Sequence, residues 1–172
     1  MPADPTLRVR PAVPTDAPAI VDFVRGLARF EHEPVEHVHL TEADVVRDGF
    51  GARPAFEVVI AERARDDLAT PVGFALFFPN YSTWEGRAGI YIEDLFVIDE
   101  ERGSGVGRAI LAAVAHIAWQ RGAARIDLAV LDWNPARGFY EALGMAHQET
   151  WLPYRMERDA IARLASEATA EA

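Results

Sequence analysis

The feature that most constrains the fold is a strand-like run GIYIEDLFVI (89–98), a glycine loop DEERGSGVGR (99–108), a helix-like stretch ending at Gly122, and RIDLAVL (125–131). The outer segments are rich in β-branched and aromatic residues, and between them Ile110, Leu111, Val114, Ile117 and Ala118 fall on one helical face. A strand-helix-strand crossover joins parallel strands with a right-handed sense. Upstream, FEVVIAE (56–62) and VGFALFF (72–78) are separated from each other and from 89–98 by short polar or glycine-containing turns, the mark of antiparallel neighbours. The expected architecture is therefore α/β (α+β): a mixed, mainly antiparallel central sheet, helices on both faces, and one parallel strand-helix-strand unit. A change from antiparallel to parallel pairing can open a gap between neighbouring strands, and the glycine loop lies at that crossover.

The remaining elements follow from local chemistry. LRVR (7–10) alternates as a half-buried strand, and Ile20, Phe23, Val24 and Leu27 recur at helical spacing behind a Thr15 or Asp16 cap. Thr41-Glu-Ala-Asp44 is a capping-box variant opening a short helix, with Gly49 as its expected left-handed stop. Asn134-Pro135 signals a helix start and Gly144 its close. HQETWLPYRME (147–157) is expected as one broken strand interrupted by Pro153, and RDAIARLA (158–165) as a last helix before an alanine-rich end that frays. No linker or repeat divides the 172 residues, so one domain is expected, its core at about 7–157 and a helix and tail at 158–172.

Composition narrows the function. A net charge of -10, from 27 acidic and 17 basic residues, repels nucleic acid and anionic membranes and is compatible with a cationic partner. The absence of cysteine removes disulfides, thiolate metal ligands and cysteine nucleophiles. All 17 basic residues are arginine, so side chains offer no amine nucleophile. EHEPVEHVH (31–39) is no H-E-x-x-H site, because Glu36 stands where histidine is needed and Pro34 breaks the helix. No metal is expected. Ser104 lacks the G-x-S-x-G elbow of a serine hydrolase. MPADPTLRVR has no apolar signal core and no run approaches the roughly 20 apolar residues of a membrane span, so a cytoplasmic location is expected.

The glycine loop is not a phosphate-binding loop of the lysine-dependent kind, since the chain has no lysine, and its glycine spacing misses the dinucleotide fingerprint. What remains is Arg102-x-x-Gly105-x-Gly107. Small residues there let successive backbone N–H groups face a ligand, and the following helix N-terminus favours negative charge. Arg102 and Arg108 bracket that helix start, where cations cost a few tenths of a kcal/mol unless an anion offsets them. A pyrophosphate fits.

The run IEDLFVIDEERGSGVGRAILAAVAHIAWQRG resembles the acetyl-CoA motif of the GNAT N-acetyltransferases, and WNPARGFYEALGM resembles their second signature. Within that superfamily the chain is most similar to the spermidine/spermine acetyltransferases and their thialysine acetyltransferase relatives, through LARFE (27–31), LTEADVVRDGFG (40–51), YSTWEGR (81–87), YIEDLFV (91–97) and LAVLDWN (128–134). The resemblance implies a GNAT-like sheet with acetyl-CoA as cosubstrate. Its pyrophosphate would lie on Arg102, Gly103, Ser104, Gly105, Val106, Gly107 and Arg108, and its acetyl-pantetheine arm on the backbone of Leu95, Phe96 and Val97. It further implies a homodimer whose C-terminal strands help build the partner's site.

Acetyl transfer needs a neutral amine, a stabilised oxyanion and a proton for the departing thiolate. Neutralising an alkylammonium of pKa near 10.4 at pH 7 costs roughly 4.6 kcal/mol. Glu93 and Asp94 stand mid-strand in an apolar run, expected on opposite faces, and the resemblance makes Glu93 the base, acting through water. For Asp94, an ion pair or a cap contact to a loop is the competing explanation. Tyr140 matches the family's general acid. Transfer from a phenol to a thiolate is uphill by about 2 kcal/mol on model values, so Tyr140 either has a lowered pKa or acts first as a hydrogen-bond donor. Asn134 caps the following helix and secondarily contacts coenzyme A. Trp84 either walls a cation site or covers the core edge. Glu31 and Trp151 join the amine pocket by family matching. Ser82-Thr83-Trp84 stands where the polyamine branch carries an aspartate, which favours a diamine or lysine-analogue amino acid, with polyamine as the alternative. A non-catalytic acyl-CoA-binding regulatory domain is the rival from another class, and retention of Tyr140 and Glu93 argues against it.

Overall fold

The computed structural model describes residues 4–66 and 68–168. In chain order these form β1 (Leu7–Pro11), α1 (Ala17–Phe30), α2 (Glu42–Phe50), β2 (Glu57–Arg65), β3 (Leu68–Ser82), β4 (Arg87–Val97), α3 (Val106–Gln120), β5 (Ile126–Leu128), α4 (Arg137–Ala142) and α5 (Arg158–Ala165). Two compact units result: one running through Asp132, with the whole sheet and α1–α3, and one from Trp133 onward, with α4 and α5.

The sheet order is β1-β2-β3-β4-β5. The first three pairings are antiparallel and β4–β5 is parallel, as the strand-helix-strand pattern requires. One sheet face packs Val58, Ile60, Phe74, Leu76 and Phe96 against Ile20, Val21 and Phe23 of α1 and Val45 of α2. Phe23 stacks on Phe74 with ring centroids 5.4 Å apart. α1 also lies close enough to β4 that a Cβ on Gly26 would stand 2.7 Å from the Phe96 ring. α3 buries Val106, Ile110, Leu111, Val114 and Ala118, and it packs on β2, β3 and β4. Ile117, expected on that face, sits at its half-buried margin.

Several local expectations need correction. Thr41 caps α2 as the box predicts, accepting the Asp44 N–H at 3.2 Å while its own N–H donates to Asp44 at 3.0 Å. Gly49, however, lies inside that helix; the chain leaves it at Gly51 in an extended conformation. Asp16 precedes α1 without capping it. Its carboxylate instead accepts the Val13 N–H and two bonds from Arg10, which also reaches Glu62 at 2.8 Å. β5 spans three residues rather than the seven of RIDLAVL, because pairing with β4 stops at Ile92–Leu128. Gly122 and Gly144 do close α3 and α4 with positive φ. Residues 147–157 contain no strand, and the helix expected at 158–165 is α5. The end expected to fray includes 169–172, outside the described residues.

Candidate functional site

Two features of the first unit converge at β4: the glycine loop at its C-terminal end and a carboxylate cluster at its middle. Beyond Val97 a single 3-10 turn, Asp99–Glu101, leads into the loop. Gly103 and Gly105 adopt φ of 75° and 94°, a region that side chains rarely enter, and nothing lies within 4 Å of where a Cβ would stand on either. Gly105 is the residue before α3. Ala109 N–H is the first to reach back, to the Gly105 carbonyl at 3.0 Å, so the N–H groups of Val106, Gly107 and Arg108 have no partner within the helix. Open space over two glycines and a turn of free donors at a fifteen-residue helix fit a diphosphate. Arg108 is exposed in that first turn and forms no ion pair among the described residues.

Arg102 behaves differently from the bracketing cation expected of it. Its Nε donates to the Val97 carbonyl at 3.1 Å and its Nη2 lies 2.8 Å from Asp99. The guanidinium sits 4.4 Å from the Phe30 ring centroid and 5.4 Å from that of Phe96. The side chain thus ties the loop entrance to α1 and β4. Ser104, exposed, bonds back to the preceding turn, its hydroxyl donating to the Glu101 carbonyl at 2.7 Å.

At mid-strand the β3–β4 register runs Leu76 to Asp94 and then Phe77 to Ile92, so Glu93 is an extra residue without a partner, a β-bulge. The bulge breaks the simple alternation that placed Glu93 and Asp94 on opposite faces. Glu93 is exposed and Asp94 half-buried. Burial, then the charges of Glu93 and Glu31, pushes the Asp94 carboxyl up to about 6. Glu31, the residue that follows α1 as its C-cap, is itself raised by burial and by Glu33. Neither Glu93 nor Asp94 forms an ion pair or a cap bond among the described residues, so the structural explanation weighed for Asp94 has no support. Leu95, Phe96 and Val97 continue β4 past its last pairing with β5, leaving that edge without a β5 partner.

The other candidates separate by position. Trp84 is 89% exposed in the turn 83–86, which excludes a core role for it. Ser82 is buried, and its hydroxyl accepts the Glu85 N–H at 3.2 Å and Arg125 at 3.4 Å, so it organises that same turn. In the second unit, buried Asn134 is not the N-cap expected of it, since Ala136, two residues later, holds that place; Asn134 accepts the Ala136 N–H at 2.8 Å and sets the turn that leads into α4. Tyr140 is half-buried on α4, with its ring 5.2 Å edge-on from Phe139. Trp151 is exposed in the coil before α5. Sequence reasoning passed over Glu101, a buried carboxylate beside the loop. Its neighbours in EERG are equally acidic or basic, and only β2's position reveals it. Among the described residues no group of three or more His, Cys, Asp or Glu side chains could hold a metal.

Known proteins resemble this chain in sequence and in fold. The acetyltransferase (GNAT) family model matches residues 22–145. The thialysine N-epsilon-acetyltransferase of Mus musculus is 37% identical over 92% of this chain and 96% of its own. A human spermidine/spermine N(1)-acetyltransferase-like protein 1 is 31% identical over 93% of this chain but only 24% of its own length. Among solved structures, an integron cassette protein from the mobile metagenome of V. cholerae superposes with a TM-score of 0.75 at 22% identity, over 95% of this chain and 100% of its own, a likeness of fold.

Proposed function

The chain belongs to the GNAT acetyltransferase family and is an enzyme, and from that premise we propose that it transfers the acetyl group of acetyl-CoA to a small primary amine, a diamine or a lysine-analogue amino acid of the thialysine type. The observation that carries the donor is the glycine loop, whose open side at Gly103 and Gly105 and free first-turn N–H groups suit a pyrophosphate. Gly107, Val106, the Ser104 backbone and Arg108 complete that cradle, with Arg102 holding its entrance. The edge at Leu95, Phe96 and Val97, which has no β5 partner, offers backbone groups to the pantetheine amide. Bound there, acetyl-CoA supplies the activated thioester.

The acceptor reading rests on the carboxylates. Glu31, Glu93 and Asp94 form a negative group with no basic side chain paired to it among the described residues, which draws an ammonium in and holds it. Glu93, exposed on its bulge and reachable by water, takes the amine's proton through that water. Asp94, whose charged form burial disfavours, gains most from a cation nearby and orients the amine. Trp84 and Trp151 offer aromatic walls to the substrate's cationic end, and Ser82 fixes the Trp84 turn. Tyr140 gives its phenolic proton to the departing thiolate, and Asn134 sets the start of the helix that bears it. The name of the mouse relative supports thialysine and that of the human relative supports a polyamine; the missing acidic residue at Ser82 favours the shorter substrate. The chain works as a single N-acetyltransferase domain, in a cytoplasmic homodimer without nucleic acid or membrane. No helix among the described residues is long and apolar enough to cross a membrane.

The test is thiol release from acetyl-CoA over thialysine, lysine, putrescine, spermidine and aminoglycosides. Highest kcat/KM on thialysine or putrescine is expected; turnover confined to proteins or aminoglycosides overturns the acceptor assignment. Tyr140→Phe is expected to lower kcat about 100-fold with little change in KM for acetyl-CoA, and unchanged turnover removes Tyr140 as the acid.

A further inference from the structure

A loop that carries two glycines at positive φ, neither held by a side chain, loses much conformational freedom when it is fixed in one shape. Something must hold it, and most of the bonds to Ser104, between the two glycines, come from Glu101. Its carbonyl accepts the Ser104 hydroxyl at 2.7 Å and faces the Ser104 N–H at 3.4 Å, and its carboxylate lies 3.2 Å from the same hydroxyl. The carboxylate is 5% exposed and is reached from β2 by Arg63 Nε at 2.8 Å and by Arg65. Arg63 continues to Asp4, to Thr6 at 3.0 Å and to Ser104 Oγ at 3.3 Å. A buried carboxylate beside an anion-binding loop repels the anion unless cations neutralise it, and Arg63 and Arg65 do so here. Hydrogen bonds from Arg65, Ser104 and Arg63 and the charge of Arg63 outweigh burial and hold this carboxyl below the ordinary range.

We propose that Glu101, gripped by Arg63 and Arg65 of β2, is a positioning residue that holds the Gly103–Gly105 loop in the shape that receives the donor's pyrophosphate. The inference rests on the acetyl-CoA reading above. Glu101 touches neither the acetyl group nor the amine, so its loss acts on donor capture and leaves the chemical step alone.

The test compares acetyl-CoA with acetyl-pantetheine, which carries the same thioester and lacks the pyrophosphate. Glu101→Gln is expected to raise KM for acetyl-CoA about tenfold, keep kcat within about twofold, and leave KM for acetyl-pantetheine unchanged. A variant that merely loosens the fold shifts both donors alike, and that result, or an unchanged acetyl-CoA KM, overturns the inference. Wild-type enzyme that uses both donors with equal KM takes down the pyrophosphate reading itself and the inference with it. Should Glu101→Gln fail to fold, Arg65→Ala removes an exposed arginine from the same carboxylate; a two- to threefold rise in KM for acetyl-CoA alone is expected from it, and no rise overturns the proposal.

Discussion

Asp94 keeps a carboxyl that its surroundings disfavour as an anion, and that has a thermodynamic consequence. Its folded value of about 6 lies above the ordinary 3.8, so between those pH values the folded chain binds more protons than the unfolded one, and stability falls as pH rises through the window. Above about pH 6 the cost is fully present, on the order of 1–2 kcal/mol once its partial exposure to water is allowed for. Asp94→Asn is therefore expected to raise Tm by about 3–6 °C at pH 7.5 and to leave it nearly unchanged at pH 4, by calorimetry at both values. The same variant should raise KM for the amine, because the ammonium that relieves the anion loses its partner. A fall in kcat confined to Asp94→Asn and absent from Glu93→Gln moves the base from Glu93 to Asp94. The pair was visible in the sequence as two carboxylates in an apolar strand. Which one is buried was not, because the bulge that separates them arises from the β3 register, a property of two strands together.

At the scale of elements, the contact between α1 and β4 is the tightest test of packing. Gly26→Ala gains about 0.5–1 kcal/mol of helix propensity but forces a methyl to 2.7 Å from the buried Phe96 ring, an overpacking cost of about 1–3 kcal/mol. Net destabilisation of roughly 1 kcal/mol is expected from urea unfolding, and a stabilised variant would mean that α1 can lift off the sheet. Phe96 also meets the Arg102 guanidinium, so the same shift should raise KM for acetyl-CoA. Strands and helices with strong periodicity were legible: the meander, the crossover helix and the capping box at Thr41 all emerge from side-chain chemistry within a few residues. Ends were less so. Gly49 carried a stop signal but α2 runs one residue past it, and RIDLAVL has strand composition over seven residues while β4 supplies partners for three. Arg102 was legible as a cation beside the loop; its contacts with Asp99, Val97 and Phe96 are local, and the Phe30 ring over which it also lies comes from α1, far away in sequence.

For the whole molecule, the mixed sheet could be read from the order of its segments, whereas the chain beyond Met145 could not: 147–157 reads as a broken strand, yet the structure has no strand there before α5. Trp151, Leu152, Tyr154, Met156, Ile161 and Leu164 are exposed there, Tyr154 at 93%. Apolar area of that extent fits burial by a second copy, as the homodimer reading requires. Sedimentation velocity should give twice the 19.0 kDa chain mass, and a chain ending at residue 146 should sediment as a monomer with diminished turnover. A full-length monomer that retains activity contradicts the dimer. The β4–β5 ladder is short, three pairs long. From Glu93 to Val97 the β4 edge has no β5 partner, and proteins commonly guard such edges with charge. Glu93 and Asp94 stand at the start of that stretch, where two carboxylates disfavour the docking of another strand.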